Sequence, residues 1–170
     1  MAKTKPFEIR IKDTDILAIL KTFKNMDEIA KVDLKKLAND LAVTAASAIG
    51  SSLQATPQGQ AIARTIRVSK TSRSPVIIIG ESGKLSNGRP VAEILRGTEF
   101  GAYNYLPRQR KGKSSTYKGY KQFQKRSPRE GRGNAGYFIF PTLKALQPYI
   151  TQKWVDGVDK IRDEWKRRVI

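Results

Sequence analysis

A chain of 170 residues carrying 33 Lys and Arg against 15 Asp and Glu is long enough to bury one unstapled core, and its formal charge is +18. It has no cysteine and no histidine, which excludes disulfides, thiolate nucleophiles and thiolate metal sites and removes the commonest general base and metal ligand. Enzymatic chemistry is left to carboxylates, lysines and hydroxyls. The opening Met-Ala-Lys-Thr-Lys-Pro has no apolar run behind its lysines, and no stretch approaches the roughly 18 apolar residues of a membrane span. The expectation is a protein made in the cytoplasm and not held in a membrane.

In chain order, Phe7 to Ile11 alternates apolar and polar as a half-buried strand does. Asp13 or Thr14 then caps a short predicted helix bearing Ile16, Leu17, Ile19, Leu20 and Phe23. From Asp27 to Gln54, the residues Ile29, Leu34, Leu37, Leu41, Ala45, Ala48, Ile49 and Leu53 recur at helical spacing, and small residues between Ala42 and Ala48 allow another element to approach closely. Ala55-Thr-Pro-Gln-Gly59 reads as the break after this helix. Two strands are expected next, Ile62–Ser69 and Pro75–Gly80, the second a continuous Val-Ile-Ile-Ile run typical of a central strand buried on both faces. Ser86–Pro90 is a turn, and Val91–Phe100 is apolar without a decisive period. Tyr137–Phe140 reads as a strand or extended ledge. A last helix over 147–168 aligns Ile150, Trp154, Val158, Ile161 and Trp165, with Pro148 in its first turn.

The pattern predicts a single α+β domain over 1–170: a small, mainly antiparallel sheet packed by a long N-terminal helix and a C-terminal helix, with a long basic loop inserted. That insert, 103–134, holds ten basic residues (Arg108, Arg110, Lys111, Lys113, Lys118, Lys121, Lys125, Arg126, Arg129 and Arg132) against Glu130 alone, so half of the net charge sits in under a fifth of the chain. With almost no aliphatic residues and like charges throughout, it cannot offset its own ordering entropy, and it is expected to order on assembly. Such a block either solubilises the chain or attracts phosphates or acidic protein surface. Tyr103, Tyr105, Tyr117, Tyr120 and Phe123 lie among the cations; aromatics so placed stack on bases or anchor a protein interface, and the interface is the favoured reading.

Two motifs imitate nucleotide sites and fail on spacing. Val76-Ile-Ile-Ile-Gly-Glu-Ser-Gly-Lys84 runs from a strand toward a phosphate loop, but position 78 is Ile where the motif needs glycine, and Leu85 stands where the magnesium-binding hydroxyl belongs. A turn ending a buried strand is the better account. Gly131-Arg-Gly-Asn-Ala-Gly136 matches the dinucleotide spacing but follows a basic irregular stretch and precedes an aromatic run, the reverse of strand then helix. Asp13, Asp15, Asp27, Glu28, Asp163 and Glu164 fall near helix ends, where capping and pairing explain them. Glu93 and Glu99 are the remaining carboxylate pair, with nothing in the sequence to bring them to one substrate.

The segments Gly97-Thr-Glu-Phe-Gly101 and Gly136-Tyr-Phe-Ile-Phe-Pro-Thr-Leu143 resemble the tail-completion or head–tail joining (neck) proteins of long-tailed bacteriophages. The motif positions are Gly97, Glu99, Phe100, Gly101, Tyr137, Phe138, Phe140 and Pro141. In that family an N-terminal helix precedes a small sheet, a Glu-Phe-Gly-type motif follows, and an aromatic-Pro motif opens the C-terminal helix. The resemblance covers nearly the whole chain in the order of its elements, including Thr56-Pro57, the basic strand and Trp154. It implies a virion component at the head–tail interface with no catalytic residues, cofactor or metal. It also implies self-association, with a hexameric ring expected, and contacts to head-closure, tail-terminator and tail-tube proteins. The insert is longer and more basic than the family minimum, so its role is not inherited. DNA in the channel is a further expected neighbour, and the alternative class is a free basic nucleic-acid-binding protein.

Overall fold

The computed structural model describes residues 7–10, 28–70, 75–100 and 136–169. The expected helix over 13–23 and the whole insert 103–134 lie outside them. Among the described residues the fold is α+β, with a three-stranded antiparallel sheet and four helices. The strands are β1 (Phe7–Arg10), β2 (Arg67–Lys70) and β3 (Pro75–Ile79), and the helices are α1 (Glu28–Leu53), α2 (Pro57–Ala63), α3 (Ala92–Phe100) and α4 (Ile139–Val169).

Strand β3 is central, in the order β1-β3-β2. Phe7 pairs with Ile79 and Ile9 with Ile77 on one side, and Val68 pairs with Ile77 on the other, so the alternate residues Phe7, Ile9, Ile77, Ile79 and Val68 share the core face. Val76, Ile77 and Ile79 are buried and Ile78 is half-buried, as the unbroken apolar run requires.

Helix α1 turns Leu34, Ala38, Leu41, Ala42, Ala45, Ala46, Ile49 and Leu53 inward. Its second half lies on the sheet, where Ala42, Ala45, Ala46, Ile49 and Leu53 join Ile62, Ile77, Ile79, Val91, Leu95 and Ile139 in one cluster. Burying a side chain such as Ile49 completely contributes about 1.5–3 kcal/mol. The first half of α1 runs beyond the sheet and packs on the end of α4 through Ala30, Leu34 and Ile161, with Leu37, Trp154, Val158 and Trp165 around them. The two long helices are therefore antiparallel. They approach closely at Gly157, where an added Cβ would lie 2.5 Å from a Leu37 methyl carbon.

Three expectations need correction. Residues 57–63 form α2, so the strand expected from Ile62 begins only at Arg67. The Thr56 hydroxyl accepts the Gly59 amide at 3.0 Å and Pro57 opens the helix, so the residues read as a break start a new element. Tyr137–Phe140 is no strand, because Ile139 is already helical. Helix α4 consequently begins eight residues before the expected 147 and holds Pro148 in its interior. The lost bond there would have gone to Lys144; both residues are exposed, so water reaches the vacant carbonyl. Val91–Phe100, undecided by period, contains α3.

Candidate functional site

The two motif segments meet at one carboxyl group. Glu99, in the last turn of α3, is 1 % exposed. Its Oε2 accepts the amides of Phe138 at 3.1 Å and Ile139 at 2.9 Å, and its Oε1 accepts that of Phe140 at 3.0 Å. The first i→i−4 bond of α4 runs from Thr142 N to Phe138 O at 3.2 Å, which makes Phe138 the cap position and leaves the amides of 138–141 without helical partners. Glu99 takes three of them, and the fourth residue is Pro141, which has no amide hydrogen. Every donor at the entry of α4 is thus accounted for by these two residues. A carboxylate at a helix N-terminus also lies favourably in the helix dipole.

Gly136 completes the joint. It has φ +74°, and a Cβ there would land on the Glu99 carboxyl. Burial pushes the Glu99 carboxyl above the ordinary value of 4.5, against the downward pull of the Phe140, Ile139, Phe138 and Tyr137 amides. Neighbouring Thr98 is also buried, and among the described residues its Oγ1 has no hydrogen-bond partner.

Two groups of aromatic rings lie around the joint. Phe100 lies 6.0 Å from Phe7 and 5.5 Å from Phe140, centroid to centroid and tilted, and Tyr137 lies 6.3 Å from Phe138. Phe140 remains 43 % exposed. The rings of Phe7, Phe100 and Phe140 border a cleft of about 530 Å³, lined also by Glu8, Ile9, Arg96, Ile139 and Leu143. A shallower hollow beside Lys144, Gln147, Ile150 and Thr151 shares Phe140 and Leu143 with it.

Of the motif residues named from sequence, Glu99, Phe100, Phe138, Phe140 and Pro141 come together here; Tyr137 is half-buried beside them, and Gly97 has none of the described residues within 4 Å of its Cβ position. Gly101 and all ten basic residues of the insert lie outside the described residues. Glu93 does not join Glu99; it is exposed and pairs with Arg89 at 3.7 Å. Both oxygens of Glu99 are occupied by backbone amides, so the group acts as a cap. Among the described residues no cluster of three or more acids could hold a metal ion, and no helix is long and apolar enough to cross a membrane. Lys84 of the rejected phosphate loop is exposed and bridges to Pro90, closing a turn after β3. The cleft residues Phe7, Ile9, Arg96 and Leu143 were not legible as a site. Phe7 and Ile9 show only the apolar alternation of β1, Leu143 only closes the second motif segment, and Arg96 carries no signal of its own.

Comparison of the chain with family models, with curated proteins and with solved structures finds no match.

Proposed function

We propose that this chain is a structural subunit of a bacteriophage neck, a tail-completion or head–tail joining protein that assembles as a ring between head connector and tail and has no catalytic turnover. One observation carries the reading: Glu99 of the first motif caps the helix opened by the second. Residues that look separate in sequence work as one joint, and the two motifs that build it bracket the +9 segment 103–134 in the sequence. A ring around a DNA exit channel benefits from basic surface, and head-to-tail contacts between rigid α+β bodies close such a ring.

The test is made in the phage that carries the gene. Loss of the protein leaves filled heads and separate tails, whereas joined particles without it overturn the assignment. Neutral replacements of Arg108, Arg110, Lys111 and Lys113 are expected to leave the folded body intact, since none of the four belongs to the described core, yet to reduce joining. Normal joining by that variant refutes the electrostatic role of the insert. If the isolated chain instead binds duplex DNA with an affinity that falls steeply with salt, and is absent from virions, the nucleic-acid-binding class replaces this one.

A further inference from the structure

Three of the six large apolar side chains that remain exposed among the described residues lie on one face of α1. Ile29, Val32 and Val43 are 56, 59 and 51 % exposed. With Lys36, Asp40 and Ser47, which are also exposed, they recur every three or four residues, so the six form one line along the helix. The line runs opposite the buried stripe from Leu34 to Ile49 that faces the core. Single exposed apolar residues are ordinary, but their alignment over about four turns is the pattern of a seam between two helices.

We infer that a second copy of the chain docks on this line, α1 against α1 in antiparallel order about a twofold axis. Read in reverse, the line is its own complement. With the axis beside residue 38, Lys36 lies opposite the partner's Asp40, Val32 packs against the partner's Val43, and Ile29 covers the partner's Ser47; the twofold makes each contact twice. A parallel pair would set Lys36 on Lys36 and Asp40 on Asp40, so charge selects the antiparallel order. A lone lysine in an otherwise apolar seam fixes register at some expense of strength. Charge also selects the occupant. Helix α1 carries Glu28, Asp33 and Asp40 against Lys31, Lys35 and Lys36, so it is neutral on a chain of +18. Two copies can meet there without facing like charge, and at 0.15 M salt repulsion from charges more than about 8 Å away is largely screened. A strongly acidic partner finds no net charge on α1 to attract it. The inference does not rest on the neck reading, because a ring closes through two different surfaces whereas a twofold contact uses one surface twice. Its failure leaves the head–tail joining assay unaffected.

Sedimentation of the full chain over a range of concentrations in 0.15 M salt tests the contact. One helix pair buries less than a standard interface, so reversible dimerisation is expected with Kd on the order of 10–100 μM. Lys36→Glu and Asp40→Lys should each weaken it at least about tenfold, because each sets like charges opposite one another twice. Combined in one chain, the two substitutions restore opposite charges and should restore the dimer, a recovery that structural damage would not show. Both positions are exposed, so the variants keep the fold, which circular dichroism checks. A chain that stays monomeric up to about 500 μM overturns the inference. So does a dimer indifferent to either charge reversal, or a double variant that does not recover. A monomer whose Tm falls by several degrees with Val32→Ser and with Val43→Ser overturns it as well, and assigns the line to the chain's own segment 11–27.

Discussion

Replacing Glu99 by Ala deprives three amides of their acceptor at one stroke. That of Ile139 is buried, while those of Phe138 and Phe140 are partly buried. A buried donor left unpaired costs about 1–3 kcal/mol; with water reaching the two outer amides in part, the total comes to about 3–5 kcal/mol. For a chain of this size that is a fall in Tm of roughly 10 °C or more. Urea unfolding followed by tryptophan fluorescence measures it, since both tryptophans lie on α4, the helix whose entry is uncapped. A loss under about 1 kcal/mol refutes the argument, because it is no more than an ordinary exposed cap is worth. Glu99→Gln adds a check on charge. The folded carboxyl titrates above 4.5, so the folded state binds its proton more tightly than the unfolded chain does. The stability it contributes is fully present below 4.5 and is lost as pH rises through the higher folded value. The difference in stability between the native chain and Glu99→Gln should therefore fall with rising pH across that window. A difference that grows with pH would mean that the amides and helix dipole outweigh burial.

Gly136→Ala should cost at least about 2–3 kcal/mol, from left-handed backbone strain and a methyl group placed on the Glu99 carboxyl. In a Glu99→Ala background the penalty should shrink to the strain alone; an unchanged penalty in the double-mutant cycle refutes the contact. Thr98→Val removes a buried hydroxyl that has no partner among the described residues and should stabilise by about 0.5–1 kcal/mol in the same urea assay; a loss of stability would reveal a bond to Oγ1. Trp154→Ala should cost about 2–3 kcal/mol, below the full-core range, because the ring is only half-buried over Ala30, Leu34 and Ile161. A loss near zero would detach the ends of α1 and α4 from one another.

What could be read from the chain alone was whatever its local period encodes. The stripe from Leu34 to Leu53 specifies α1 because a single helical face repeats through it, and Val76–Ile79 specifies a central strand because no polar face is offered. Pro57 and Gly59 were misread because the same residues that stop one helix can start the next, and only the Thr56 hydroxyl decides between them. The entry of α4 was misplaced for a different reason: its cap is a side chain 39 to 41 residues away, and no window along the sequence contains both partners. Glu99 was singled out as part of a motif, but its task as an acceptor became visible only once α3 and α4 were brought together. The cleft is less legible still, since Phe7, Arg96 and Leu143 reach it from three separate elements.

The joint at Glu99 has an evolutionary consequence. Because Phe100 and Phe140 touch across it, the body holds both ends of the 35 residues between 100 and 136, and the entropy of bringing those ends together grows only as the logarithm of the length spanned. Doubling the segment costs about 0.6 kcal/mol, far less than the joint contributes. The joint therefore sets little limit on the length of that segment, so insertions and deletions should accumulate between the two motifs and stop at the residues that build the joint, Glu99 and Gly136.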